Sequence, residues 1–100
     1  MELTVIVNGG IAGFVNDILA RVDSHNLINS QRKEIENLLE KSDFFKLPEL
    51  IPKSDIYADS LQYKIVVKEQ NRSKNVVFYD EQSPKTKLLR QLKDKIISLK

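Results

Sequence analysis

Leu3, Val5 and Val7 alternate with Thr4, Ile6 and Asn8 at the opening of the chain, the two-residue period of a strand with one buried face. Asn8-Gly9-Gly10 ends the run, and consecutive glycines supply the positive φ angles that a tight hairpin turn requires. Taken as a two-residue loop, Gly9-Gly10 sets Val7 opposite Ala12 and Val5 opposite Phe14, and the same core face continues through Asn16, Ile18, Ala20 and Val22. A second pattern overlaps the first. Val15, Ile18, Leu19 and Val22 fall at i, i+3, i+4 and i+7, the spacing of an amphipathic helix. Pattern alone leaves strand and helix both open over residues 14–22.

From Asn29 to Ser42 the periodicity is helical, with Ile35, Leu38 and Leu39 on one stripe and Asn29 or Ser30 placed to cap the first turn. Pro48 and Pro52 break the apolar run that follows, and each disfavours helix at the residue before it, so residues 46–60 read as an extended loop. Leu61, Tyr63, Ile65 and Val67 then alternate with Gln62, Lys64, Val66 and Lys68, and a second alternating run covers Asn75 to Tyr79. With polar residues 69–74 between them, the two runs predict another hairpin. Ser83-Pro84 sets a capping residue before a proline at the first helical position, and Leu88, Leu89, Leu92, Ile96 and Leu99 supply the stripe of a closing helix. The predicted order is β-β-α-β-β-α: an α+β fold, an antiparallel sheet of about four strands with two helices on one face.

Composition fits that picture. One hundred residues, 41% hydrophobic and 30% charged, describe one folded domain over residues 1–100 rather than a disordered chain. The absence of cysteine excludes disulfides, thiolate nucleophiles and Cys-ligated metal sites. Sixteen basic residues against fourteen acidic ones give a net charge of +2, far from the basic excess of a dedicated nucleic-acid binder. The acidic start and short apolar run of residues 1–7 match neither a secretory leader nor a span of roughly 18 apolar residues. The expectation is a cytoplasmic protein with no membrane partner.

Candidate chemistry is sparse. His25 is the one histidine, so neither a zinc set of several N/S ligands nor a nucleophile–base–orienter triad can be assembled around it. Asp17, Asp23, Asp55, Asp59 and Asp80 stand beside turns, where carboxylates ordinarily cap backbone or meet water. No catalytic residue, metal or cofactor is assigned, and the protein is not expected to be an enzyme. Lys85, Lys87, Arg90, Lys93, Lys95 and Lys100 face a single Asp94 in the closing helix region. With no aromatic residue interleaved, they read as a solvated outer face that complements the helix dipole, Lys93 and Lys95 included. No nucleic-acid partner is expected.

All three glycines of the chain lie in Gly9-Gly10-Ile11-Ala12-Gly13, a concentration that calls for small backbone at a turn or a close approach. With Asp23 and Leu27 before the first helix, Phe44-Phe45-Lys46-Leu47-Pro48 after it, Gln62-Tyr63 opening the second hairpin and a leucine-rich final helix, the chain resembles the emfourin family. The resemblance covers nearly the whole chain in order. It implies an extended segment after the glycine element, and so strand rather than helix over residues 11–22. It also implies a protein inhibitor of protealysin and related thermolysin-like zinc metallopeptidases, docked across the peptidase cleft and carrying no zinc of its own. The chain departs from the family pattern at Ser60-Leu61, where a glycine and an aromatic residue are usual, and in a long loop from Glu49 to Asp59.

An anchor beside the glycines is expected because interface energy concentrates in a few desolvated groups. The candidate contact residues are Gly9, Gly10, Ile11, Ala12 and Gly13, with Ile11 as anchor and Tyr57 of the proline-flanked loop as a second. The free protein is expected to be a monomer. The competing reading is a small cytosolic interaction module that uses the same surface for another partner.

Overall fold

The computed structural model describes residues 1–8, 16–53 and 61–100. Its elements are β1 (Glu2–Asn8), β2 (Asn16–Asp23), α1 (Asn29–Lys41), β3 (Gln62–Lys68), β4 (Ser73–Tyr79) and α2 (Lys87–Ser98), with single 3₁₀ turns at Ser24–Asn26, Phe44–Lys46 and Pro84–Thr86. The four strands form one antiparallel sheet in the order β2-β1-β3-β4, and the α+β order read from the sequence holds.

Alternation in the strands decides which face closes. Leu3 and Val5 of β1, Ile65 and Val67 of β3, and Val76 and Phe78 of β4 are all fully buried, and they share one face of the pleat. Against that face pack Ile35 and Leu39 of α1, Phe44 of the following 3₁₀ turn, and Leu89, Leu92 and Ile96 of α2. α2 contacts β1 and β2 as well as α1, so both helices lie on the same side. Of the predicted helix stripes, Ile35, Leu39, Leu89, Leu92 and Ile96 are buried, Leu38 and Leu99 are partly buried against them, and Leu88 lies outside the core; Ser83 caps the entry to α2 by accepting from the Lys85 N–H.

Three local expectations are corrected. Asn8 pairs with Asn16, so the connection between β1 and β2 spans residues 9–15 rather than Gly9-Gly10, and Val7 and Val5 face Asp17 and Ala20 instead of Ala12 and Phe14. The wider connection sets Leu3 against Val22 inside the core, where the two-residue turn would have set it against Asn16.

The second correction concerns the face of Ile18. Val5 pairs with Ala20 but Ile6 pairs with Ile18, which leaves Leu19 as an extra residue in a bulge. A one-residue shift reverses the face of everything beyond it. Ala20 and Val22 therefore reach the core as predicted, while Ile18 turns to the opposite face and is 55% exposed.

The third is the start of α1. Its cap position is Ile28, not Asn29 or Ser30, and the Ile28 N–H is taken up by the Gln31 side chain at 3.2 Å. The strand predicted over residues 11–22 is present as β2 from Asn16; residues 11–15 lie outside the described residues. Of the loop expected over residues 46–60, Lys46 closes a 3₁₀ turn, residues 47–53 are free of helix, and residues 54–60 lie outside the described residues; Leu50 forms a parallel bridge to Val77 at the outer edge of β4.

Candidate functional site

Gly9, Gly10, Ile11, Ala12, Gly13 and Tyr57 all lie outside the described residues. Residues 9–15 join Asn8 to Asn16, which pair with each other, and Asn8 also pairs with Gln62, the first residue of β3. Residues 54–60 run from Lys53 to Leu61, immediately before Gln62. Antiparallel pairing thus brings the roots of both predicted contact segments to one end of the sheet.

That end is tied together by a side-chain ladder on the helix-free face. Asn8 Nδ2 donates to Gln62 Oε1 at 3.2 Å, and Gln62 Nε2 donates to the Tyr79 hydroxyl at 3.2 Å. Lys53 Nζ lies 4.9 Å from the centre of the Tyr79 ring. One line of contacts therefore runs from the root of the glycine segment to the root of the long loop. None of Asn8, Gln62 or Tyr79 stood out as a site residue in the sequence. The available signal was that each is a polar or amphipathic residue on the solvent side of an alternating strand.

On the helix side of the same end, Lys93 is buried, a reversal of the solvated role read from the sequence. Its Nζ is 4.2 Å from the centre of the Tyr63 ring, 3.2 Å from Asp94 Oδ1 and 3.9 Å from Asp80 Oδ1. The stem of Lys93 fills the gap between α2 and the start of β3 while the ammonium reaches the boundary with water. Three more of the basic row are also engaged within the molecule, while Lys85 and Lys87 are exposed as the solvated reading expects. Arg90 donates to Ser83 O, Gln82 Oε1 and Thr86 Oγ1; Lys95 pairs with Glu34; and Lys100 Nζ donates to Leu19 O at 3.1 Å.

Among the described residues the carboxylates and His25 form no reactive constellation; Asp55 and Asp59 lie outside them. His25 Nδ1 lies 2.9 Å from Asp23 Oδ1 at an exposed turn. The His25 backbone N–H also donates to that carboxylate at 3.0 Å. This backbone hydrogen bond first, and the side-chain contact second, hold the Asp23 carboxyl below its ordinary value. Among the described residues no group of three or more His, Asp or Glu side chains is arranged to hold a metal ion. A cleft of about 530 Å³ at the opposite end of the sheet is lined by Phe44, Phe45, Glu69 and Arg72 among others. Its own cation occupies it: Arg72 stacks 3.5 Å from the centre of the Phe45 ring and pairs with Glu69 at 2.9 Å.

What the described geometry offers is therefore surface: a four-stranded α+β domain with one sheet face that neither helix covers and, at one end, the residues that flank both predicted contact segments. The Emfourin family model matches residues 5–95, and the chain belongs to this family, a family of protease inhibitors. No curated protein and no solved structure matches it. Among the described residues no helix is long and apolar enough to cross a membrane.

Proposed function

We propose that the protein inhibits a thermolysin- or protealysin-like zinc metallopeptidase by docking over its active-site cleft, and is not itself an enzyme. Membership of the Emfourin family across residues 5–95 carries this reading. The sheet end supports it, because the roots of both predicted contact segments stand side by side there. Ile11 is the anchor, Gly9, Gly10, Ala12 and Gly13 keep its segment slim, and Tyr57 contributes from the second segment. The mechanism is obstruction: substrate cannot reach the catalytic zinc of the peptidase while the inhibitor occupies the cleft. The free protein is a cytoplasmic monomer in this reading, and its partner is the peptidase rather than nucleic acid or membrane.

The test is a titration of the purified protein into a thermolysin-like peptidase, following cleavage of a short peptide. Stoichiometric loss of activity is the expected result. Full activity at micromolar excess of folded protein would refute the proposal and leave an interaction module with a different partner.

A further inference from the structure

Strand pairing aligns five residues in a single transverse row on the helix-free face. Ile18 of β2 pairs with Ile6 of β1, Ile6 with Lys64 of β3, Lys64 with Val77 of β4, and Val77 with Leu50 at the edge bridge. Residues paired directly across a sheet point to the same side, so the row reads Ile-Ile-Lys-Val-Leu. With strands about 4.8 Å apart, it crosses roughly 19 Å of surface. The Asn8–Gln62–Tyr79 ladder is the next row toward the sheet end. Between the rows lies a hollow of about 250 Å³ lined by Ile6, Asn8, Gln62, Tyr63, Lys64 and Val77.

The row is too apolar to be an ordinary solvent face. Among the described residues the exposed large hydrophobics are Ile18, Ile28, Leu50 and Leu61. Ile18 and Leu50 end this row. Ile28, at the start of α1, and Leu61, which has the opposite parity to its neighbour Gln62, lie off it. Solvent-facing strand positions are ordinarily polar, and contiguous apolar surface rimmed by polar groups marks an interaction site.

We infer that this row is part of the peptidase-contact surface, so that the inhibitor lies against its target with the open sheet face as well as with the segments at the sheet end. The inference rests on the inhibitor reading above. Two arguments select the peptidase as the occupant. The row is continuous, through the ladder, with the roots of the two proposed contact segments. Those segments hold seven residues each, short of the roughly 20–30 residues a side that a stable complex engages. The row and the ladder supply most of the difference.

Lys64 adds a chemical requirement. It stands at the centre of the row, half-buried, with no ion pair among the described residues. Closing a partner over an ammonium that no described residue pairs is costly, so the surface that meets it is expected to present a carboxylate there.

The experiment compares Ile18→Glu and Leu50→Glu, at the two ends of the row, with Ile28→Glu, an equally exposed position off the face. All three sites are half or more exposed, so melting temperatures are expected to stay near that of the parent; Ile18→Ser and Leu50→Ser replace any variant that does not fold. Both row variants are expected to inhibit the peptidase at least tenfold more weakly than the parent, with Ile28→Glu unchanged. A parent that inhibits while both row variants match it overturns this inference and leaves the inhibitor reading intact. A loss confined to one end overturns the row as a unit. Sedimentation of the free parent as a dimer that Ile18→Glu dissociates assigns the face to a second copy and overturns the peptidase as its occupant. A parent that does not inhibit overturns both readings.

Discussion

Truncating Lys93 tests whether the sheet end is held by packing or by charge. The Lys93 side chain is 9% exposed, and Lys93→Ala removes three buried methylenes, roughly 2 kcal/mol at about 0.8 kcal/mol each. The sheltered contact with the Tyr63 ring adds about 1 kcal/mol. The ion pairs add less, because Asp80 and Asp94 are 38% and 71% exposed and solvated pairs contribute roughly 0.2–1 kcal/mol. Lys93→Ala should therefore cost about 3 kcal/mol. Lys93→Met keeps an apolar stem of similar length and should cost about 1 kcal/mol, the cation–π and ionic share. Urea denaturation of the two variants against the parent measures both numbers. An alanine variant within about 1 kcal/mol of the parent would refute the packing argument, and equal losses for alanine and methionine would show that charge holds the site.

Two further predictions probe other links. The Asp23 side chain is half-exposed, and its carboxyl is held down by the His25 N–H and ring. Its contribution to stability is therefore present above the ordinary aspartate value of 3.8 and is lost as pH falls through the lower folded value. A carboxyl titration followed by NMR should give a midpoint below 3.8, and a midpoint at or above it would refute the capping geometry. Gly10→Val is expected to weaken inhibition by constraining the segment between β1 and β2, since a β-branched residue is barred from backbone conformations open to glycine; unchanged inhibition with an unchanged melting temperature would sink that role.

Where one period dominates, the sequence was readable. The buried positions Tyr63, Ile65 and Val67 repeat every second residue, and Leu89, Leu92 and Ile96 repeat every third or fourth, so β3 and α2 follow from spacing. Ser83-Pro84 marks the entry to α2 for a physical reason, because the serine caps and the proline has no N–H to leave unpaired. Ile18 was misplaced because a strand with one inserted residue carries two parities, and composition does not mark the insertion. Lys93 was misplaced because its apolar stem and charged tip satisfy the buried and the solvated positions of a helix equally well. At the site, the roots Asn8 and Gln62 come together only through pairing between residues 54 apart in sequence, a relation that no local pattern encodes. The glycine segment and Tyr57 remain expectations from resemblance, since both lie outside the described residues.

The bulge at Leu19 links the edge of the sheet to its open face. Without the extra residue, Ile18 would share the parity of Ala20 and Val22 and point toward the helices; with it, Ile18 joins Ile6 and completes the apolar row. The same bulge interrupts the free edge of β2, and Lys100 from the end of α2 takes up the Leu19 carbonyl. At the other edge, Val77 donates to Glu49 O and accepts from the Ile51 N–H, so that backbone is occupied as well. Bulges, lysines and covering segments are the devices that discourage strand addition at sheet edges. With both edges obstructed, an extended peptide gains little by pairing alongside the sheet. The apolar row and the sheet end at Asn8, Gln62 and Tyr79 are then the described surfaces on which a partner gains most by burial.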